Sequence, residues 1–181
     1  MRPGDLPHSV CDTLDQAALP SLPGAWPLKR WAPVARDRVG DVGAVTFLQR
    51  SSPHAFFALT SVYVHRESGW SEEFSNGDVW PVPPTYPRPA GGPPIAPLTS
   101  LTGVAIGAAP TPVAFVAGMA SAAVATLRAT SLLEEHDIEI EPESGAFVAL
   151  TAHLPSTTEF TLTALGHHGE ELDRIDYRDP W

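Results

Sequence analysis

The chain has 181 residues, a formal net charge of −10 at pH 7 and 20 prolines. This proline content is about twice the usual share and argues against long helices, because proline lacks a backbone N–H and clashes inside a helix. The single cysteine, Cys11, excludes an internal disulfide and any metal site that needs several cysteines. The length is sufficient for one domain, 1–181, with a substantial core.

The amino-terminal part predicts one short helix followed by a basic stretch. Residues 9–19 place Val10 and Leu14 on one apolar face, and Pro20 ends the helix. The first residues lack the apolar core of a signal peptide, so we expect a cytoplasmic location. The basic stretch is either a solvated segment anchored by tryptophans or a groove for an anionic ligand. It comprises Trp26, Lys29, Arg30, Trp31, Arg36 and Arg38.

Alternating apolar residues from residue 42 onward predict three strands and their turns. The strands are expected at Val45–Gln49, Phe56–Arg66 and Trp70–Phe74. Asn76-Gly77 is typical of a two-residue hairpin turn and predicts a change of direction before Val79.

Residues 81–97 contain eight prolines and two adjacent glycines, a composition typical of extended polyproline II structure. The segment is either a loop that crosses between the sheets of one domain, which we favour, or a linker between 1–80 and 98–181. The charge is uneven across it, since residues 98–181 hold twelve acidic and three basic side chains. This imbalance disfavours nucleic acid as a partner and favours a basic protein.

The stretch Val104–Ala125 is apolar enough to raise the question of a membrane-spanning helix. Glycines and prolines interrupt it, however, and it lacks basic flanks. We therefore expect no membrane insertion and predict buried strands at Leu101–Ile106, Val113–Ala117 and Ala122–Leu132.

Residues 145–177 carry the clearest strand pattern. Apolar side chains occupy the even positions of Ala146–Leu154, and Phe160–Ala164 repeats the alternation. Glycines in Gly166–Gly169 predict a turn before a last strand that ends at Tyr177. The pattern predicts an antiparallel meander of three adjacent strands with one buried face.

The acidic segment 134–143 is the strongest candidate for a binding surface. A strand over Asp137–Glu141 would place alternate carboxylates on one face, ~7 Å apart; these are Asp137, Glu139 and Glu141. Such a face is a solvated surface that discourages edge pairing, a docking surface that also includes Glu135, or a Ca²⁺ site completed by loop oxygens. We predict neither a metal nor a cofactor.

No motif for a specific chemistry is present. The chain lacks a P-loop, a dinucleotide fingerprint, a G-x-S-x-G elbow and an H-E-x-x-H helix. His167 and His168 are adjacent on a predicted turn and point in different directions, so we interpret them as exposed turn residues. A metal site would need His153 or His136 to approach them.

Three segments of the carboxyl half resemble the immunoglobulin-like β-sandwich modules of many bacterial, especially actinobacterial, proteins. They are the strand Val124–Thr130, the turn and strand at Gly145-Ala-Phe-Val, and Phe160-Thr-Leu-Thr-Ala ending in Gly169-Glu-Glu-Leu. The resemblance covers roughly residues 113–177 and implies a module that binds or spaces other domains without catalysis. The Cys…Trp…Cys pattern of antibody-type domains is absent from the sequence.

We therefore predict an all-β fold, an antiparallel β-sandwich with a short amino-terminal helix and a proline-rich crossover loop. The predicted function is a non-catalytic, immunity- or inhibitor-type module that binds a basic protein through Glu135, Asp137, Glu139 and Glu141. One alternative is a carbohydrate or small-ligand site that uses exposed aromatic residues, namely Trp70, Trp80 and Tyr86. The other is a hydrolase whose site is assembled from distant residues. The sequence specifies no oligomeric state.

Overall fold

A computed structural model describes residues 10–15, 31–52, 55–80, 88, 90–106, 111–152 and 160–177. Within these residues the chain forms one helix and eleven strands: α1 (Val10–Asp15), β1 (Trp31–Val39), β2 (Val42–Ser52), β3 (Ala55–Arg66), β4 (Gly69–Trp80), β5 (Ile95–Ile106), β6 (Thr111–Ala120), β7 (Thr126–Ser131), β8 (Glu135–Ile138), β9 (Ala146–Ala152), β10 (Phe160–Leu165) and β11 (Glu171–Tyr177). The predicted all-β fold and its short amino-terminal helix are confirmed.

The strands form three antiparallel sheets. Sheet A has the order β1-β2-β3-β4, sheet B the order β5-β6-β9, and sheet C the order β11-β10-β7-β8. Sheet A is therefore built from the amino half of the chain, whereas sheet C is built from the acidic carboxyl half. Most of the net negative charge therefore lies in the half of the chain that includes sheet C and its turns.

Sheet B is the middle layer. One face of β6 and β9 packs on sheet A, through residues such as Phe115 and Val148. The opposite face packs on sheet C, through residues such as Val116 and Phe147. Every residue of β9 is buried, as a strand covered on both faces requires.

A third apolar cluster covers the outer face of sheet A. Leu14 of α1 packs there with Phe47, Tyr63 and Trp70. The short helix is thus held by its buried leucine against the sheet, since six residues form too few turns to be stable alone.

The predicted meander of residues 145–177 is wrong in one respect. β10 and β11 do pair, with Leu162 opposite Ile175, but β9 pairs with β6 and not with β10. The reason lies in the odd positions of β9, where Phe147 and Ala149 are also apolar and buried. A strand with two apolar faces belongs inside, between two layers.

The turn predicted at Asn76-Gly77 is also wrong. β4 continues through both residues, because Asn76 and Gly77 pair with Thr60 and Leu59 in the long strand β3. Eleven paired residues outweigh the local turn preference of two. Residues 81–87 and 89 of the proline-rich segment lie outside the described residues, so its role as loop or linker stays a prediction.

The stretch that raised the question of a membrane helix contributes to β5 and β6. In the described part of the chain no helix has the length and apolar character needed to cross a membrane.

Candidate functional site

The acidic strand is shorter than predicted and begins earlier. β8 spans Glu135–Ile138, and its two outward carboxylates face Arg128 on the neighbouring strand β7. The Arg128 guanidinium lies 2.7 Å from an Asp137 oxygen and 3.4 Å from a Glu135 oxygen. All three side chains are substantially exposed, so this pairing orders the face while contributing little to stability. The hydrogen bond that Arg128 donates to Asp137 raises the pKa of Arg128.

Glu139 follows β8 and reaches across to sheet A. Its carboxylate accepts a 3.0 Å hydrogen bond from Arg36 Nε. The same arginine donates to the carbonyl of Thr13 in α1 at 2.6 Å. One side chain of β1 therefore connects the helix with the acidic segment.

Glu141 does not share the outward face, contrary to the prediction. It is only 4% exposed, and one of its carboxylate oxygens accepts hydrogen bonds from the backbone N–H and the hydroxyl of Ser144, both at 2.5 Å. The strand has already ended at Ile138, so the alternation that would have turned Glu141 outward does not continue. Glu141 fixes the turn that leads into β9.

Arg88 lies beside this turn and binds the backbone of a second turn. It donates to the backbone carbonyls of Ala120, Ser121 and Val124. Burial lowers the pKa of Arg88, and the negative charge of Glu141 opposes that shift. The arginine thus satisfies three carbonyls where the chain passes from sheet B to sheet C.

Asp37 and His136 form the most enclosed polar contact between sheets A and C. His136 Nε2–H donates to Asp37 Oδ2 at 2.9 Å, although 99 residues separate the two side chains. The same oxygen accepts the backbone N–H of Leu150, in β9, at 2.7 Å. One carboxylate that is 8% exposed therefore ties together strands of all three sheets.

The second nitrogen of His136, Nδ1, is buried and has no hydrogen-bond partner among the described residues. A histidine that acts as a general base presents one nitrogen to its substrate while an acidic residue orients the other. Here Nε2 is engaged by Asp37 and Nδ1 is enclosed. The contact consequently has the geometry of a structural link.

The Asp37–His136 contact makes stability pH-dependent. Its hydrogen bond raises the pKa of His136, and burial opposes this shift. A raised folded-state pKa gives stability that is complete below the unfolded value of about 6.5 and is lost as the pH rises through the folded value. We therefore expect the difference in unfolding free energy between wild type and His136→Gln to shrink over that interval.

Urea unfolding at a series of pH values provides the measurement. His168→Gln, in an exposed turn, controls for the loss of a histidine in general. A wild-type advantage over His136→Gln that stays constant across the interval would contradict the assignment.

An open cleft of about 240 Å³ lies beside this contact. Its lining residues are Leu14, Arg36, Asp37, Arg38, Asp137 and Glu139. Arg38 is engaged by the Gly40 carbonyl and by Asp15, and Arg36 by Glu139. Two arginines against three carboxylates do not favour an anionic ligand in this cleft. Trp26, Lys29 and Arg30, which also belong to the basic stretch, lie outside the described residues.

The aromatic residues proposed for a carbohydrate site are not available as a set. Trp70 is only 9% exposed, donates its Nε1–H to Asp15 at 3.1 Å and lies beneath the Arg38 guanidinium, 4.9 Å from its ring centre. Its side chain belongs to the outer cluster of sheet A. The side chain of Trp80, and Tyr86 as a whole, lie outside the described residues.

The turn between β7 and β8 presents a feature that the sequence analysis did not single out. Leu132 is 72% exposed and Leu133 is 62% exposed. Glu134 and Glu135 follow them directly. The available signal was two adjacent leucines at a turn, where small polar residues and glycine are the usual choice.

His167 and His168 lie exposed in the turn between β10 and β11, as predicted. In the part of the chain that the structure describes, no three His, Cys, Asp or Glu side chains are arranged to hold a metal ion. His153 lies outside that part. The Ca²⁺ interpretation of the acidic segment loses its geometric basis, because Asp137, Glu139 and Glu141 face Arg128, Arg36 and the Ser144 turn respectively.

Comparison with known proteins adds no further constraint. No protein family, curated protein or solved structure matches this chain, so its function has to be inferred from the surface and the contacts described above.

Proposed function

We propose that this protein is a non-catalytic interaction module of the immunity or inhibitor type, which binds and masks a basic protein through the outer face of sheet C. The observation that carries the proposal is the charge of that sheet and its turns. The exposed carboxylates from β8 onward are Glu135, Asp137, Glu139, Glu143, Glu170, Glu171 and Asp176. Across the described residues 126–177, Arg128 and Arg174 are the only basic side chains apart from histidines.

The shape of the surface suits this role. A four-stranded sheet presents a broad, regular face. On β10, Thr161 lies opposite Asp176 of β11, and Thr163 lies between Arg174 of β11 and Arg128 of β7. An excess of one charge on such a face accelerates encounter with an oppositely charged partner and makes association sensitive to salt. Arg128 neutralises only part of the charge beside it.

Catalysis is less well supported. The hydrolase alternative needs a site assembled from distant residues, and Asp37–His136 is the pair in the described chain that comes nearest to one. Its histidine offers no open nitrogen. The small-ligand alternative retains the cleft beside Arg36 but loses Trp70, which is buried.

The test is to remove the two outward carboxylates of β8. Glu135→Ser together with Asp137→Ser should leave the unfolding free energy within about 1 kcal/mol of wild type, since exposed ion pairs contribute little. Association with the partner should slow severalfold at about 0.05 M salt and approach the wild-type rate at about 0.5 M, because the lost attraction is screened. Affinity capture with mass spectrometry identifies the partner, and binding kinetics with the purified partner measure the effect.

Glu72→Ser with Asp78→Ser is the matched control. It removes two exposed carboxylates from β4, in the opposite outer sheet. Equal association rates for the two double variants at both salt concentrations would overturn the proposal.

A further inference from the structure

The tip of the β7–β8 hairpin exposes two large apolar side chains to solvent. Leu132 and Leu133 are the most exposed large hydrophobic residues in the described chain. An exposed leucine is common by itself, but two neighbouring ones at a turn form a small apolar projection. Such a projection contributes nothing to the core, since the hairpin is already held by the pairing of Leu127 and Thr130 with Ile138 and Glu135.

The turn that carries the two leucines is internally ordered. The Ser131 N–H donates to the Glu134 carbonyl at 2.8 Å. The Ser131 hydroxyl oxygen accepts the backbone N–H groups of Leu133 and Glu134 at 3.3 and 3.2 Å. These hydrogen bonds hold the backbone that carries the leucines in a fixed position, which lowers the entropy cost of inserting their side chains into a partner.

The surroundings of the tip define the partner. Glu134 and Glu135 follow the leucines directly, and Asp137 lies further along β8. These carboxylates repel an anionic lipid surface, and they would repel the same hairpin of a second copy. They attract a surface rich in lysine and arginine.

We propose that Leu132 and Leu133 are the apolar anchor of the interaction, and that they insert into an apolar pocket with a basic rim on the partner protein. This inference rests on the proposed function and assigns its binding centre. Interfaces of this kind derive most of their affinity from a few apolar side chains that become fully desolvated, whereas rim charges set the association rate. Substitution of the two leucines should therefore change the dissociation rate, whereas substitution of the carboxylates on sheet C should change the association rate.

The experiment begins with a photo-crosslinking amino acid at position 133 of the full chain, expressed in cells, followed by mass spectrometry of the adduct. The identified protein is then purified and its binding kinetics are measured. Leu132→Ser with Leu133→Ser should raise the dissociation rate at least about tenfold and change the association rate by less than about threefold. The effect should persist at high salt.

Phe57→Ser with Val79→Ser is the matched control, because these residues form a partly exposed apolar cross-strand pair on sheet A. It should leave both rate constants at the wild-type values. Thermal unfolding of each variant identifies any loss of folding. If the double variant fails to fold, Leu133→Ser alone is measured in its place, and it should give a smaller increase in the dissociation rate.

The outcomes separate this inference from the proposed function. If the wild-type chain captures no protein whose association depends on salt, both the proposed function and the leucine anchor are overturned. A salt-sensitive partner that dissociates from the leucine variant at the wild-type rate overturns the anchor alone. A cross-link within the chain, a cross-linked dimer of the chain, or leucine-dependent binding to phosphatidylcholine/phosphatidylserine vesicles also overturns the anchor.

Discussion

Replacing Gly145 by alanine is expected to destabilise the protein by about 3–5 kcal/mol, a large effect for one methyl group. The residue has φ = +78°, where an L-residue with a side chain is strained by roughly 1–2 kcal/mol. Its added Cβ would lie 2.1 Å from the carbonyl oxygen of Ala120. That oxygen belongs to the backbone, so relief of the clash requires the chain to move.

Gly169→Ala is the control for this prediction. Gly169 has nearly the same backbone conformation, φ = +79°, but a Cβ there would meet nothing within 4 Å. It should therefore cost only the conformational strain of roughly 1–2 kcal/mol. Urea unfolding of both variants isolates the steric part, and equal destabilisation would show that the close approach at Gly145 is easily relieved.

The Gly145 prediction concerns the point where the acidic segment joins the core. The Gly145 carbonyl accepts the N–H of Ala120 at 2.8 Å, and its own N–H donates to the Glu141 carbonyl at 2.8 Å. Arg88 binds the next turn, at Ser121 and Val124. Disturbing this junction should therefore alter both the entry of β9 into the middle sheet and the position of the acidic face.

The alternation of apolar residues predicted most strands, because a period of two depends only on local sequence. The layer to which a strand belongs depends on both of its faces. The even positions of β9 suggested one buried face, yet Phe147 and Ala149 at odd positions already carried the evidence for a second. A strand that is apolar at both its even and its odd positions is expected to lie between two sheets.

Asn76 and Gly77 illustrate the limit of local turn signals. Their sequence favours a hairpin, but pairing of β3 with β4 continues through them, with Thr60 opposite Asn76. Tertiary pairing supplies more free energy than a two-residue preference, and no property of the two residues themselves reveals which partner strand is present.

The candidate site was predictable in its composition and not in its contacts. The acidic segment stood out from charge alone, but a run of carboxylates does not reveal which of them find partners in distant strands. Glu139 meets Arg36 across 103 residues, and Glu141 is enclosed by a turn three residues ahead of it. The first contact depends on how the sheets stack, and the second on where β8 ends.

Asp37→Ala is expected to cost about 3 kcal/mol, the second large effect. The substitution removes the acceptor of the Leu150 N–H in fully buried β9. An unsatisfied buried N–H costs about 1–3 kcal/mol, and the loss of the hydrogen bond from His136 adds to this cost. The Arg38 N–H, which donates to the other oxygen at 2.8 Å, also loses its acceptor.

Asp176→Ala is the matched control. Asp176 also accepts several hydrogen bonds, in its case from the side chains of Thr161 at 2.7 Å and Arg174 at 3.2 Å, but it is exposed on β11. Its removal should cost less than about 1 kcal/mol. Urea unfolding at pH 6 compares the two, and similar values would show that Asp37 is not the link between the sheets.

Asp37→Asn separates the hydrogen bond from the charge. The amide oxygen can still accept the Leu150 N–H, so the loss of unfolding free energy should be smaller than for Asp37→Ala. The charge that favours protonated His136 is gone, however, and the decline of stability with rising pH above about 6.5 should disappear. If Asp37→Asn kept the wild-type pH dependence of the unfolding free energy, that dependence would arise from another titrating group. With the dependence lost and the fold retained, the Asp37 carboxylate would be established as the group that couples protonation of His136 to the contact between sheets A and C.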